Sequence, residues 1–108
     1  CAPCRKELPA LDALNRDLGG ADFAVVTIAT GRNPQPAITR LFDEVGVTSL
    51  PIYLDPKLQV SREMGVMGLP VSLLLDRDGR EIARMSGDAE WDSESARAIV
   101  AALIADGS

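Results

Sequence analysis

The two cysteines of this chain stand three residues apart at its start, in Cys1-Ala2-Pro3-Cys4, and no histidine occurs anywhere in the sequence. That combination excludes several architectures at once. A disulfide framework needs more cysteines, a structural zinc site needs four Cys or His ligands, and general-base catalysis by imidazole is impossible. What remains is a single Cys-x-x-Cys that opens into a stretch with helical spacing. At a helix mouth the unpaired amides and the positive end of the dipole stabilise a thiolate. Cys1 is therefore the candidate nucleophile toward a disulfide, and Cys4, one turn later, the candidate thiol that resolves the mixed disulfide. Pro3 suits the first helical turn, and buried inert thiols are a poor fit to such a position.

The rest of the chain reads as alternating helices and strands. Leu8, Leu11, Leu14 and Leu18 fall on one face of a helix over residues 5–18, with a kink expected at Pro9 and a stop at Gly19-Gly20. Residues 24–29 are short, apolar and partly β-branched, which predicts a strand buried on both faces. Ile38, Leu41, Phe42 and Val45 mark a second helix ending at Gly46. A short strand near residues 52–54, a brief helix over 57–64 and a strand over 71–75 follow. Asp78-Gly79 turns the chain into a hairpin partner over 81–85, with Asp76 and Asp78 read as turn residues. A last helix carries Ala96, Ile99, Val100, Leu103 and Ile104 on one face, with Asp92 as its candidate N-cap. The expected class is α/β, a mixed central sheet with helices on both faces. A right-handed crossover into the second element calls for a strand ahead of Cys1 that this sequence lacks.

At 108 residues the chain fits one domain, residues 1–108, expected to be truncated at its N-terminus. A hydrophobic content of 46% with 25% charged residues is that of a folding chain. Eleven basic against 16 acidic residues leave a net charge of −5, which argues against nucleic acid as a partner. No apolar run approaches the roughly 20 residues that span a bilayer. A membrane tether is expected only from a segment upstream of Cys1.

Cys1-Ala2-Pro3-Cys4-Arg5-Lys6-Glu7-Leu8-Pro9-Ala10-Leu11, with Gly68-Leu69-Pro70-Val71-Ser72 and Asp76-Arg77-Asp78-Gly79, resembles the TlpA/ResA branch of thioredoxin-like thiol-disulfide oxidoreductases. Ala89-Glu90-Trp91 is similar to the TlpA proteins of proteobacteria, placing the resemblance nearest that side of the branch. The resemblance implies a thioredoxin-like fold, with Leu69-Pro70 as a cis-proline loop whose Leu69 backbone pairs with the substrate chain. It also implies a functional glutamate at Glu7, near the face of Cys4, where a partly buried carboxyl moves protons. A periplasmic reductant is implied, tethered to the inner membrane and acting in cytochrome oxidase or cytochrome c assembly. Its partners would be protein disulfides and an upstream electron donor, with a monomer expected and neither cofactor nor metal required.

Plainer readings stand beside these. Pattern alone favours a trans proline beginning a strand at Pro70, and Glu7 is equally a solvated acid offset by Arg5 or Lys6. Trp91 reads as a packing anchor, and Met64, Met67 and Met85 as core filling rather than copper ligands. The rival function is a thioredoxin-like carrier that holds Cu(I) through the two thiolates, which suit that soft ion.

Overall fold

In a computed structural model of the chain, which describes residues 1–107, the leucine face places helix α1 (Ala2–Leu18) directly behind Cys1. The helix runs through Pro9 as one uninterrupted element. Leu14 is buried, and Leu8 and Leu11 pack against a buried cluster to which helix α2 (Gln35–Val45) contributes Ile38 and Phe42. Val47 and Leu50, just beyond α2, complete this buried cluster. Gly46, at φ 77°, supplies the left-handed residue that ends α2 and turns the chain toward them.

Polar groups fasten α1 as firmly as its leucines do. The Asp12 carboxylate is wholly enclosed and accepts from the Thr48 amide, the Ser49 amide at 2.8 Å, the Ser49 hydroxyl at 2.6 Å and Arg16. One turn later, Asn15 donates to the Ser49 carbonyl at 3.1 Å and accepts from the Val25 amide at 3.0 Å. The helix that carries the cysteines is thus bonded to two separate loops.

Strand β1 (Ile28–Thr30) pairs in parallel with β2 (Tyr53–Asp55), Ile28 opposite Tyr53. The strand expected over residues 24–29 is shorter and shifted, and it is not buried on both faces. Burial alternates along it: Val25 and Ala29 pack on the core, while Val26 and Ile28 are 58% and 42% exposed. Among the described residues β1 has one strand neighbour, and only the side chains on the Val25 and Ala29 side pack on the core. Asp55, at the end of β2, is buried and caps helix α3 (Gln59–Glu63), accepting from the amides of Gln59, Val60 and Ser61 at 3.0 to 3.3 Å.

Strands β3 (Val71–Leu75) and β4 (Glu81–Ser86) form the expected antiparallel hairpin. Asp76 accepts from the amides of Asp78 and Arg80, both at 2.9 Å, so it is the turn residue its position suggests. The parallel and antiparallel pairings of a mixed sheet are both present, divided between two two-stranded sheets. Helix α4 (Glu94–Asp106) closes the chain. Its N-cap is Ser93, not Asp92, because the Ser93 hydroxyl accepts from the Ala96 amide at 3.2 Å. Val100 is buried, and Arg97 reaches Asp17 of α1 at 2.7 Å.

Candidate active site

Cys1 and Cys4 are joined in a disulfide with their Cα atoms 5.3 Å apart, and they are the only cysteines. Cys1 is the N-cap residue of α1 and exposed; Cys4, in the first turn, is half-buried. Helical geometry creates this asymmetry, since an offset of three residues sets the backbone of the second cysteine about 4.5 Å further along the axis, inside the first turn. Of the two cysteines, Cys1 is the more open to a bulky partner. The amides of the first turn lack intrahelical partners and point toward Cys1. Among the described residues no group of three or more His, Cys, Asp or Glu gathers to hold a metal ion.

Glu7 lies on α1 one turn beyond Cys4 and is only 6% exposed. It is therefore not the solvated acid of the plainer reading, and Arg5 is engaged elsewhere, with Glu44 at 3.1 Å. The Glu7 Oε2 atom accepts from the Trp91 indole Nε1–H at 2.8 Å and from the Ala89 amide at 3.0 Å. Trp91, read from the sequence as a packing anchor, is half-buried and acts as a hydrogen-bond donor to this carboxylate. Sequence reasoning missed the pair because 84 residues separate its members. The available signal was chemical: an indole is a donor only, and a buried acid near the thiols needs donors. Glu7 also borders a cavity of about 470 Å³ that Lys6, Asp88, Glu90 and Asp92 help to line.

Leu69-Pro70 is a cis peptide, as the family resemblance implied and against the trans reading. The Pro70 carbonyl accepts from the Gly87 amide at 2.9 Å, which fastens the loop to the end of β4. Leu69 is half exposed, and among the described residues its backbone N–H and C=O make no hydrogen bond. A cavity of about 280 Å³ lies here, walled by residues 65–71 with Arg84, Ser86 and Gly87. Met67 is 98% exposed beside it, so this methionine fills no core. Neither cysteine lines this cavity. The structure brings Cys1 to Cys4 and Glu7 to Trp91, and it sets Leu69 and Pro70 in a separate loop.

Known proteins share this arrangement of chain. The chain is 27% identical over 88 residues to the thiol-disulfide oxidoreductase ResA of Bacillus thuringiensis subsp. konkukian, covering 82% of this chain and 50% of that protein. It is 28% identical over 79 residues to the thioredoxin-like protein YneN of Bacillus subtilis, covering 73% and 46%. It thus spans about half the length of these curated relatives. Among solved structures it superposes on the exposed lipoprotein thioredoxin Etrx1 of Streptococcus pneumoniae with a TM-score of 0.73 at 19% identity, over 98% of this chain and 76% of that one. A thiol:disulfide interchange protein of Chlorobium tepidum TLS gives 0.75 at 20% identity, over 96% and 72%. These likenesses give the fold as thioredoxin-like. A family model described as Redoxin matches residues 1–102, and the chain belongs to the Redoxin family.

Proposed function

We propose that the chain is a thiol-disulfide oxidoreductase that reduces protein disulfides, with Cys1 attacking and Cys4 resolving. The observation that carries this reading is the bonded pair itself: the two cysteines close a disulfide at the mouth of a 17-residue helix, one sulfur exposed and one half-buried.

In the reduced protein the Cys1 thiolate attacks one sulfur of a substrate disulfide. That bond breaks, a mixed disulfide forms, and the first substrate sulfur leaves as a thiolate that takes a proton. Cys4 then gives its proton to the Glu7 carboxylate and attacks the Cys1 sulfur. The second substrate sulfur leaves and is protonated, and the Cys1–Cys4 disulfide is the product. Two electrons have passed to the substrate; one of its two protons is the Cys4 proton released from Glu7, the other comes from solvent in place of the one Cys1 lost, and an upstream dithiol restores the pair. Meanwhile the unpaired N–H and C=O of Leu69 hold the substrate backbone, as an added strand would.

The named relatives support exchange chemistry. The resemblance to TlpA proteins supports a periplasmic setting, with cytochrome oxidase or cytochrome c assembly as the finer proposal. No helix among the described residues is long and apolar enough to cross a membrane, so the proposed tether lies outside them.

Trapping tests the roles and potential tests the direction. Cys4→Ser is expected to accumulate a mixed disulfide with a model protein disulfide, and Cys1→Ser is not; equal adducts from both would overturn the assignment. A redox titration is expected to give a potential near the thioredoxin value of about −270 mV, whereas one near −120 mV would mark an oxidant. A pair unable to form a reversible disulfide would refute the enzyme reading and return the Cu(I) carrier.

A further inference from the structure

We infer that Trp91 is a positioning residue for Glu7, and through it for the proton step at Cys4; the inference rests on the role proposed for Glu7 above. Three observations carry it. Glu7 is buried, so its orientation is decided by protein contacts rather than by water. Both of those contacts fall on one oxygen, Oε2, from the Trp91 indole at 2.8 Å and the Ala89 amide at 3.0 Å. The other oxygen, Oε1, has no hydrogen-bond partner among the described residues. A carboxylate gripped through one oxygen is fixed in rotation and keeps its second oxygen as an acceptor for a proton.

The grip works in one sense only. An indole N–H and a backbone amide can donate but cannot accept, so neither can draw the proton away from Glu7. Charge around the carboxylate gives the grip further importance. On its own helix the neighbouring charged group that lines the cavity is Lys6, while the facing segment brings Asp88, Glu90 and Asp92. Three acids against one ammonium repel a carboxylate from this place, and the two N–H donors oppose that repulsion without adding charge. Trp91 has one further consequence of position. It stands three residues ahead of α4, so it couples the entry to the last helix with the helix of the cysteines.

During resolution the Cys4 S–H bond breaks, its proton passes to Glu7, and the Cys4 sulfur bonds to the Cys1 sulfur. The bond from Cys1 to the substrate breaks, and the substrate sulfur departs with the electron pair. Removing the indole donor would leave the thiols intact and release their proton acceptor.

The test uses the full chain, reduced, in a Cys1→Ser background where Cys4 is the sole thiol. Iodoacetamide alkylation is followed from pH 5 to 10 for this parent, for Glu7→Gln, for Trp91→Phe and for both together. Trp91→Phe is expected to displace the Cys4 profile in the same direction as Glu7→Gln, by about one pH unit, with the double change adding nothing more. A Trp91→Phe profile superposed on the parent, while Glu7→Gln moves it, would overturn this inference and leave the role of Glu7 standing. If Glu7→Gln itself moves nothing, both fall. Should Trp91→Phe fail to fold, the indole N–H proton resonance decides, and the single tryptophan makes its assignment unambiguous. It is expected downfield and slow to exchange in the parent and displaced in Glu7→Gln; a resonance indifferent to Glu7 would refute the contact.

Discussion

Between α1 and α2 the apolar side chains close on one another, with Ile38, Phe42, Val47 and Leu50 buried together, whereas every residue of β4 is exposed and β3 is at best half-buried. The two regions divide the proposed chemistry between them. Exchange needs sulfurs held at fixed geometry, and those sit on the helix that the closed region grips through Leu14, Asp12 and Asn15. It also needs backbone that a partner can reach, and that lies on the hairpin side, at Leu69 and the cavity beside it. Tight packing suits the first requirement and would defeat the second.

The largest stability effect should therefore fall in the closed region. Phe42→Ala removes an aromatic ring from the middle of the buried cluster and is expected to cost about 3–5 kcal/mol, read as a lowered urea midpoint. Cys1 exchange in the surviving folded fraction should be unaffected. A loss under about 1 kcal/mol would show that the cluster is not the principal core, and the contrast between the regions would collapse.

Next in size is Asp12→Asn, expected to cost about 1–3 kcal/mol because buried donors on Ser49 and Thr48 lose their anionic acceptor. This group also gives a pH signature. Burial alone pushes the Asp12 carboxyl up, but hydrogen bonds from the Ser49 hydroxyl, the Ser49 and Thr48 amides and the charge of Arg16 together hold it below its ordinary value of 3.8. A folded value below the unfolded one means that Asp12 stabilises the fold fully above the unfolded value, and that this contribution fades as pH falls through the folded one. The native chain should accordingly lose urea resistance below about pH 4 more steeply than Asp12→Asn. Parallel curves would remove Asp12 from the account of how α1 is held.

Local pattern made some of this legible, and distance hid the rest. The leucine spacing of α1, the glycine after α2, the Asp78-Gly79 turn and the Cys-x-x-Cys all act within a few residues, and each reads directly from the sequence. The burial of β1 did not, because an apolar β-branched run looks the same whether one face or two are covered; only the sheet neighbours decide. Asp12 reads as an ordinary helix-surface acid until residues 36 and 37 positions away place their amides on it. The cap of α4 slipped by one residue because Asp92 and Ser93 are both good caps, and the choice rests on backbone angles. For Glu7 the family resemblance supplied the residue, and the structure supplied its partners on Ala89 and Trp91.

A smaller effect is expected at the start of α4. Ser93→Ala removes the hydroxyl that accepts from the Ala96 amide and should cost about 1 kcal/mol. Hydrogen exchange of the Ala96 amide is the sharper measurement, since loss of the cap frees that proton. Unchanged protection at Ala96 would shift the cap back to Asp92.

The smallest effect belongs to the open region and sharpens the comparison most. Ile82 is 45% exposed and sits at the bulge in β4, where Leu74 faces Ala83, Leu75 faces Glu81, and Ile82 has no partner across the hairpin. Ile82→Thr keeps the β-branched shape that suits a strand and replaces a methylene-bearing chain with a hydroxyl that water can reach. With little apolar contact to lose, the change is expected to stay within about 0.5 kcal/mol, measured against Phe42→Ala in the same urea series. A cost approaching that of Phe42→Ala would mean that the hairpin carries a packed face of its own, and that β4 and the cluster beneath α2 are two parts of one core.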